Sequence, residues 1–303
     1  MKTKYPYKNM LHKKLSVIVP VYKAESFIRR SLEEIKKSIS QNFPNYEIIA
    51  VIDGELDNSR EEAEKVSGIK IVSYKQNRGK GGALKIGFEN SIGDYITFID
   101  CDIDIHPDQL KNFFPYMATA DIVIGSKRHP FSKLNYPLLR RFLSNGFRVY
   151  QFLILGVKLK DTQSGFKLIK REVLEIIMPL LLVKRYAFDV ELCFLAQKHG
   201  FRTAEAPLHI NYSQFQNGGS TIKLKDIRGM FLDVLAIRYR YSILHYYQKQ
   251  FWYNMGWESN PPNKEDVFII MTPELNNNNL NPKFNIKNKS QNLIVNFKRR
   301  YLW

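Results

Sequence analysis

The chain has 303 residues, 44% of them hydrophobic, and carries 46 lysines and arginines against 29 acids, a formal net charge of +17. That length and apolar content suit one large α/β domain or two smaller ones and exclude a fibrous or wholly disordered chain. The charge calls for an anionic partner, which leaves nucleic acid, an anionic membrane surface and phosphorylated substrates in play. Cys101 and Cys193 are too few for a disulfide framework or a cysteine metal site and read as free thiols. No apolar run before Lys14 resembles a secretory leader, and the stretches 152–157 and 178–183 fall far short of the roughly 20 residues a bilayer span requires. No transmembrane helix is expected.

In chain order, residues 15–21 read as a β-branched strand closing on Pro20-Val21-Tyr22, followed by helical spacing from Ser26 to Ile35. Residues 47–52 repeat the strand pattern and end at Asp53-Gly54. A third strand over 69–74 leads into Lys75-Gln76-Asn77-Arg78-Gly79-Lys80-Gly81-Gly82, which opens a helix over 83–90. The fourth strand, 95–99, runs straight into Asp100-Cys101-Asp102 with a third acid at Asp104, and a helix is predicted from Pro107 or Asp108. Residues 121–125 make a fifth strand, so this part alternates strand and helix as a parallel, doubly wound sheet does. Each polar cluster follows a strand, and one crevice at the sheet's carboxyl edge can gather them.

From Leu138 the spacing becomes helical, with Phe142, Leu143, Phe147 and Tyr150 on one side and Arg140, Arg141 and Arg148 on the other; residues 127–160 contain no acid. The predicted organisation is an extension over 1–14, an α/β domain over 15–225 with a basic amphipathic helix at 138–156, a basic aromatic helix over 226–253, and an Asn-rich, loosely ordered tail over 254–303. Two basic helices bearing Trp and Tyr suit in-plane contact with a membrane surface.

A strand that delivers acids from its carboxyl end puts hard oxygen ligands where open α/β sheets bind ligands, and Mg²⁺ or Mn²⁺ prefers such ligands when phosphates complete the shell. Asp100, Asp102 and Asp104 are therefore candidate metal ligands, and a metal-bound nucleotide diphosphate is the expected cargo. An isolated Asp-x-Asp is more often a solvated turn. The preceding glycine-rich segment shifts that balance, because its three glycines allow close backbone approach and Arg78 and Lys80 can meet phosphate. Asp53 can accept hydrogen bonds from a base or ribose, although a lone acid there also serves as a turn residue. The six histidines are scattered, which disfavours zinc hydrolysis and triad chemistry.

Pro20-Val21-Tyr22, Asn77-Arg78-Gly79-Lys80-Gly81-Gly82-Ala83, Asp100-Cys101-Asp102, Asp161-Thr162-Gln163-Ser164-Gly165-Phe166-Lys167 and Phe188-Asp189-Val190-Glu191-Leu192, in that order, resemble glycosyltransferase family 2 over about residues 15–245. Within it the chain looks most like the polyprenyl-phosphate (dolichyl-phosphate) glucosyltransferases. The resemblance implies a GT-A fold, a Rossmann-like, mostly parallel sheet flanked by helices. It implies that Pro20, Tyr22, Glu25, Asp53, Lys80, Asp100, Cys101, Asp102 and Lys127 or Arg128 border the nucleotide-sugar, and that Asp100, Asp102 and Asp104 hold Mg²⁺ or Mn²⁺. Arg140, Arg141, Ser220 and Lys223 then match cations and donors that meet the acceptor phosphate, and Asp189 and Asp161 are the candidate catalytic acids. Two departures fall in the nucleotide-binding region: Lys23-Ala24 stands for the usual Asn-Glu, with Glu25 one place late, and Ile52-Asp53-Gly54-Glu55 for the usual Asp-Asp-Gly-Ser.

The implied reaction is inverting transfer of a hexose, glucose from UDP-glucose foremost, to a polyprenyl or dolichyl phosphate. It would take place at the cytoplasmic face of a membrane and feed glycan or glycoprotein assembly. The alternatives are another donor, such as GDP-mannose, or a soluble or polysaccharide acceptor. A nucleic-acid groove has no need of strand-end acids, so no nucleic-acid partner is expected.

Overall fold

The computed structural model describes residues 12–134, 138–185, 187–210 and 224–254 and three strands beyond them. Strand β1 (Leu15–Val21) lies in the middle of the main sheet and is apolar on both faces because both are covered. Val17, Val19 and Val21 pack with Ile28, Leu32, Ile35 and Ile39 of α1 (Ile28–Asn42), whose alternating four- and three-residue spacing makes one apolar stripe. After β2 (Tyr46–Asp53), α2 (Ser59–Glu64) and β3 (Lys70–Tyr74) comes α3 (Gly79–Glu89), which covers the opposite face. Its Gly87 lies against Ile18 and Val51, leaving no room for a side chain.

Strand β4 (Tyr95–Phe98) is followed by two 3-10 turns, Pro107–Asn112 and Phe114–Ala118, then β5 (Ile122–Ser126), β6 (Lys133–Leu134) and α4 (Leu138–Leu155). The chain continues through β7 (Lys167–Lys170), α5 (Arg171–Ile177), α6 (Phe188–Lys198), β8 (Thr203–Pro207) and β9 (His209–Ile210). The strand order is β3-β2-β1-β4-β7-β5-β8. All neighbours run parallel except at β7, which is antiparallel to both β4 and β5. The order turns back between β1 and β4, and the carboxyl edge at such a switch point is where open sheets bind ligands. Pro20, which has no N–H to give a ladder, sits past Ile18, the last residue of β1 paired with β4.

Helices α7 (Leu224–Ser242) and α8 (Tyr246–Asn254) follow, then β10 (Val267–Ile270), β11 (Phe284–Asn288) and β12 (Gln291–Val295), which form an antiparallel sheet of their own. The chain divides into two compact units, Met1–Arg238 and Tyr239–Trp303. Among the described residues no helix is long and apolar enough to cross a membrane.

Several elements depart from the sequence-based expectation. The glycine-rich segment is not a loop before a helix at Ala83, because α3 already begins at Gly79. A Cβ on Gly81 would stand 2.5 Å from the Phe188 ring and 2.7 Å from the Val183 carbonyl oxygen, so this glycine serves helix packing. The helix expected after Pro107 is a pair of 3-10 turns, with Pro115 interrupting any longer run. Strand β7 was hidden inside a motif. The helix expected over 226–253 breaks at His245, which turns the chain with φ 50°. Within 254–303 the described strands β10, β11 and β12 form the three-stranded sheet.

Gly87→Ala tests the packing of α3 on β1. Alanine gains about 1 kcal/mol of helix propensity, whereas overpacking a rigid core contact costs about 1–3 kcal/mol. A net loss of stability in denaturant unfolding is expected.

Candidate active site

The site starts where β4 runs out. Ile99 N still donates to Ile18 O (3.1 Å), and Ile103 N then donates back to Asp100 O (3.2 Å), closing a turn in which Ile103 takes the left-handed φ of 47°. That value is costly for a β-branched residue and marks the turn as held by its surroundings. It presents Asp100 and Asp102 to a cavity of about 130 Å³ that is also lined by Asp104, Lys127, Gln163, Ser164 and Gly165. A Cβ on Gly165 would overlap the Asp100 carboxylate, so glycine there gives Asp100 its place.

Lys80, in the first turn of α3, puts Nζ 2.6 Å from Asp100 Oδ1. The Asp100 side chain stands in a protein-walled recess yet is 40% exposed through its open side. Burial alone would raise its pKa, but Lys80, with Lys167 and Lys127 beyond, holds the carboxyl below its usual range. Burial would lower the Lys80 ammonium, and Asp100, Asp189 and Asp102 outweigh it in the other direction. Asp102 has no such close partner: burial, then the charges of Asp100 and Asp104, push it up to about 7. The Cys101 thiol is pushed far up by burial and by the flanking acids, which removes it as a nucleophile.

A pair of carboxylates, one firmly charged and one that gives up its proton near neutrality, fits a divalent cation, whose arrival would relieve their repulsion. Among the described residues no three His, Cys, Asp or Glu side chains gather to hold a metal ion. Asp104 lines the same cavity, and a cation there would draw its remaining ligands from substrate or water.

Other residues expected to border a nucleotide have different partners. Asp53, 3% exposed, accepts from Tyr74 Oη (2.8 Å), Asn77 Nδ2 (3.1 Å) and the Arg78 backbone N–H (2.6 Å). Most of its acceptor capacity is therefore spent fastening the ends of β2 and β3 to the start of α3. Glu25 accepts from Asn58 N (3.0 Å) while its own N–H donates to Asp57 Oδ2 (3.2 Å), a brace between two turns. Tyr22 remains 49% exposed just past β1. Lys127 lines the cavity, whereas the Arg128 guanidinium turns to α4, donating to Ser144 Oγ (2.9 Å) and Asn145 Oδ1. Of the two cations, Lys127 is the one that lines the cavity.

Asp161, 7% exposed, accepts from Lys127 N (3.0 Å) and Gln163 N (3.2 Å), and its Oδ2 stands 3.9 Å from Lys127 Nζ. It orients Lys127. Asp189, in the first turn of α6, is 5% exposed and pairs through Oδ1 with Lys167 Nζ at 2.5 Å. Lys167, Gln163 and Ser164 stand in the sequence only as parts of a motif, and the burial of a lysine is not visible in spacing. Arg140 and Arg141 fall on α4 but their side chains lie outside the described residues, as do Ser220 and Lys223 altogether.

Residues 16–177 match the sequence model described as "Glycosyl transferase family 2". The chain is 32% identical over 248 residues to a dolichyl-phosphate beta-glucosyltransferase of Dictyostelium discoideum, covering 76% of this chain and 75% of that one. With the Homo sapiens dolichyl-phosphate beta-glucosyltransferase it shares 29% identity over 251 residues, 76% of each. Among solved structures, glucosyl-3-phosphoglycerate synthase from Mycobacterium tuberculosis in complex with Mn²⁺, UDP-glucose and phosphoglyceric acid superposes with a TM-score of 0.58 at 18% identity, covering 86% of this chain and 84% of that one. The fold is thus the GT-A fold of that neighbour, and with its acid pair at the switch point of the sheet the chain belongs to glycosyl transferase family 2.

Proposed function

We propose that this protein transfers glucose from UDP-glucose to dolichyl phosphate or a related polyprenyl phosphate at the cytoplasmic face of a membrane. The observation that carries the reading is the cavity that two strand-end carboxylates line together with Lys127, one of them, Asp100, being paired with Lys80, in a chain whose relatives are named as dolichyl-phosphate beta-glucosyltransferases.

In this reaction an acceptor phosphate oxygen attacks the anomeric carbon, the bond from that carbon to the diphosphate breaks with inversion, and the nucleoside diphosphate leaves with the electron pair. Asp100 and Asp102 would hold Mg²⁺ or Mn²⁺, which when bound supplies charge neutralisation for the leaving diphosphate. Lys127, oriented by Asp161, offers a cation to the same charge. An acceptor phosphate with a second pKa near 6 is already largely dianionic at neutral pH, so Asp161 and Asp189 orient groups and need not take a proton.

The acceptor's lipid tail requires a chain that lies on a bilayer, and two helices support that reading. Helices α4 and α7 pack through Tyr150 and Phe231, whose ring centroids are 4.7 Å apart, and the Tyr150 hydroxyl donates to the Phe231 carbonyl oxygen at 3.0 Å. Their outer faces expose Val149, Phe152 and Leu153 on α4 and Leu232 and Leu235 on α7. Arg148, Arg228 and Arg238 are exposed among them. Apolar residues interleaved with arginine suit an anionic lipid surface. The free thiols of Cys101 and Cys193 suit a reducing compartment.

Radiolabelled transfer from a panel of nucleotide-sugars to polyprenyl phosphate, with and without Mn²⁺ or Mg²⁺, tests the reaction. Metal-dependent glucosyl transfer is expected, and Asp102→Asn should lower it by about 100-fold or more. Product formed equally well without divalent ions would defeat the role of the acids. A second expectation follows from Asp102. With a carboxyl pKa of about 7 in place of 3.8, the metal-free fold holds a proton that the unfolded chain has lost, so stability falls as pH rises from about 4 through 7. Mn²⁺ competes with that proton, and its rise in melting temperature should be larger at about pH 8 than at about pH 5 and absent in Asp102→Asn. Finally, the protein should float with vesicles containing anionic lipid, and Phe152→Asp with Leu232→Asp should release it while leaving UDP binding intact.

A further inference from the structure

Lys167 has no exposed surface, and its ammonium is shared between Asp189 Oδ1, at 2.5 Å, and the Ser164 carbonyl oxygen. A buried ion pair is a poor device for stability, since apolar residues of similar volume often do as well, while loss of one partner strands the other charge. What the pair connects is more informative. On one side lies the segment before β7, where Asp161 orients Lys127 and Gly165 abuts Asp100. On the other lies the first turn of α6 with Asp189. Lys167 therefore ties the segment that abuts Asp100 to the first turn of α6, and its charge reaches Asp100 as that of Asp189 reaches Lys80.

On the glycosyl-transfer reading given above, we propose that Lys167 is a positioning residue for transfer: it holds Asp189 by Oδ1 and cancels its charge, leaving Oδ2 to accept a hydrogen bond from a hydroxyl of the donated sugar. An unpaired carboxylate there would repel an incoming dianionic phosphate, and a mobile one would not orient the sugar. The pair supplies a fixed acceptor without net charge. Neither residue contacts the nucleotide in this scheme, so the loss on disrupting the pair should fall on turnover and not on nucleotide binding.

The test uses the full chain with polyprenyl phosphate in vesicles, comparing Lys167→Met, Asp189→Asn and the double variant with the wild type. Transfer is followed as kcat and donor KM, UDP affinity by calorimetry, and folding by thermal unfolding. Lys167→Met is expected to lower kcat by about 100-fold while donor KM and UDP affinity stay within about threefold. The double variant, which removes both charges and keeps the shapes, should turn over no more slowly than Asp189→Asn alone, because Lys167 acts through Asp189. Undiminished kcat in Lys167→Met, losses that multiply in the double variant, or a loss of UDP binding equal to the loss of turnover would each overturn the proposal while wild-type transfer stands. No transfer by the wild type from any donor overturns both the proposal and the functional reading beneath it.

Discussion

Two carboxylates delivered by one strand end cannot sit side by side in a walled recess without positive charge to offset them, and that constraint organises the catalytic unit. Lys80 answers it from α3, Lys127 from the end of β5 and Lys167 from the start of β7. Each lysine arrives on a different element: Lys80 pairs with Asp100 directly, while Lys127 and Lys167 face Asp161 and Asp189 and act on Asp100 from a distance. Glycine at 165 is the steric counterpart, since the recess forms only if the segment before β7 carries no side chain there. Asp102, left with the weakest compensation, keeps a proton near neutrality, and this is the residual tension that a cation would discharge.

Much of this was legible in the sequence. The strands announce themselves by β-branched runs that end in polar residues, and the acids after Phe98 stand where the sheet order turns back. What spacing does not carry is which partner a polar side chain finds. Asp53 looked like a ligand for ribose, but Tyr74, Asn77 and Arg78 consume most of its capacity. Lys127 and Arg128 are neighbours in the chain, and only the turn after β5, closed by His129 N donating to Ser126 O, sends one to the cavity and the other to α4. The glycines of α3 looked like a phosphate cradle and prove to include a contact surface for the turn before α6. The burial of Lys167 was invisible because a lysine in a sequence reads as a solvated one.

The two departures from the family pattern have a local account. Glu25, displaced by one residue, ties its turn to Asp57 and Asn58, while Ala24 N donates to Ser59 Oγ at 2.8 Å. The loops after β1 and β2 are thereby knitted to each other. Rigidity at this end of the crevice comes from side chain to backbone bonds that do not depend on a nucleotide being present.

The reversed strand has a structural consequence of its own. Every parallel strand leaves the carboxyl edge of the sheet, so its contribution to the site is whatever follows it. Strand β7 enters from that edge, and its contribution is what precedes it: residues 161–166 and Lys167 itself. The cavity is thus lined by segments that trail β4 and β5 and by a segment that leads β7. Changes in length between α4 and β7 can therefore reshape one wall of the cavity while the parallel register of β1, β2 and β4 stays as it is.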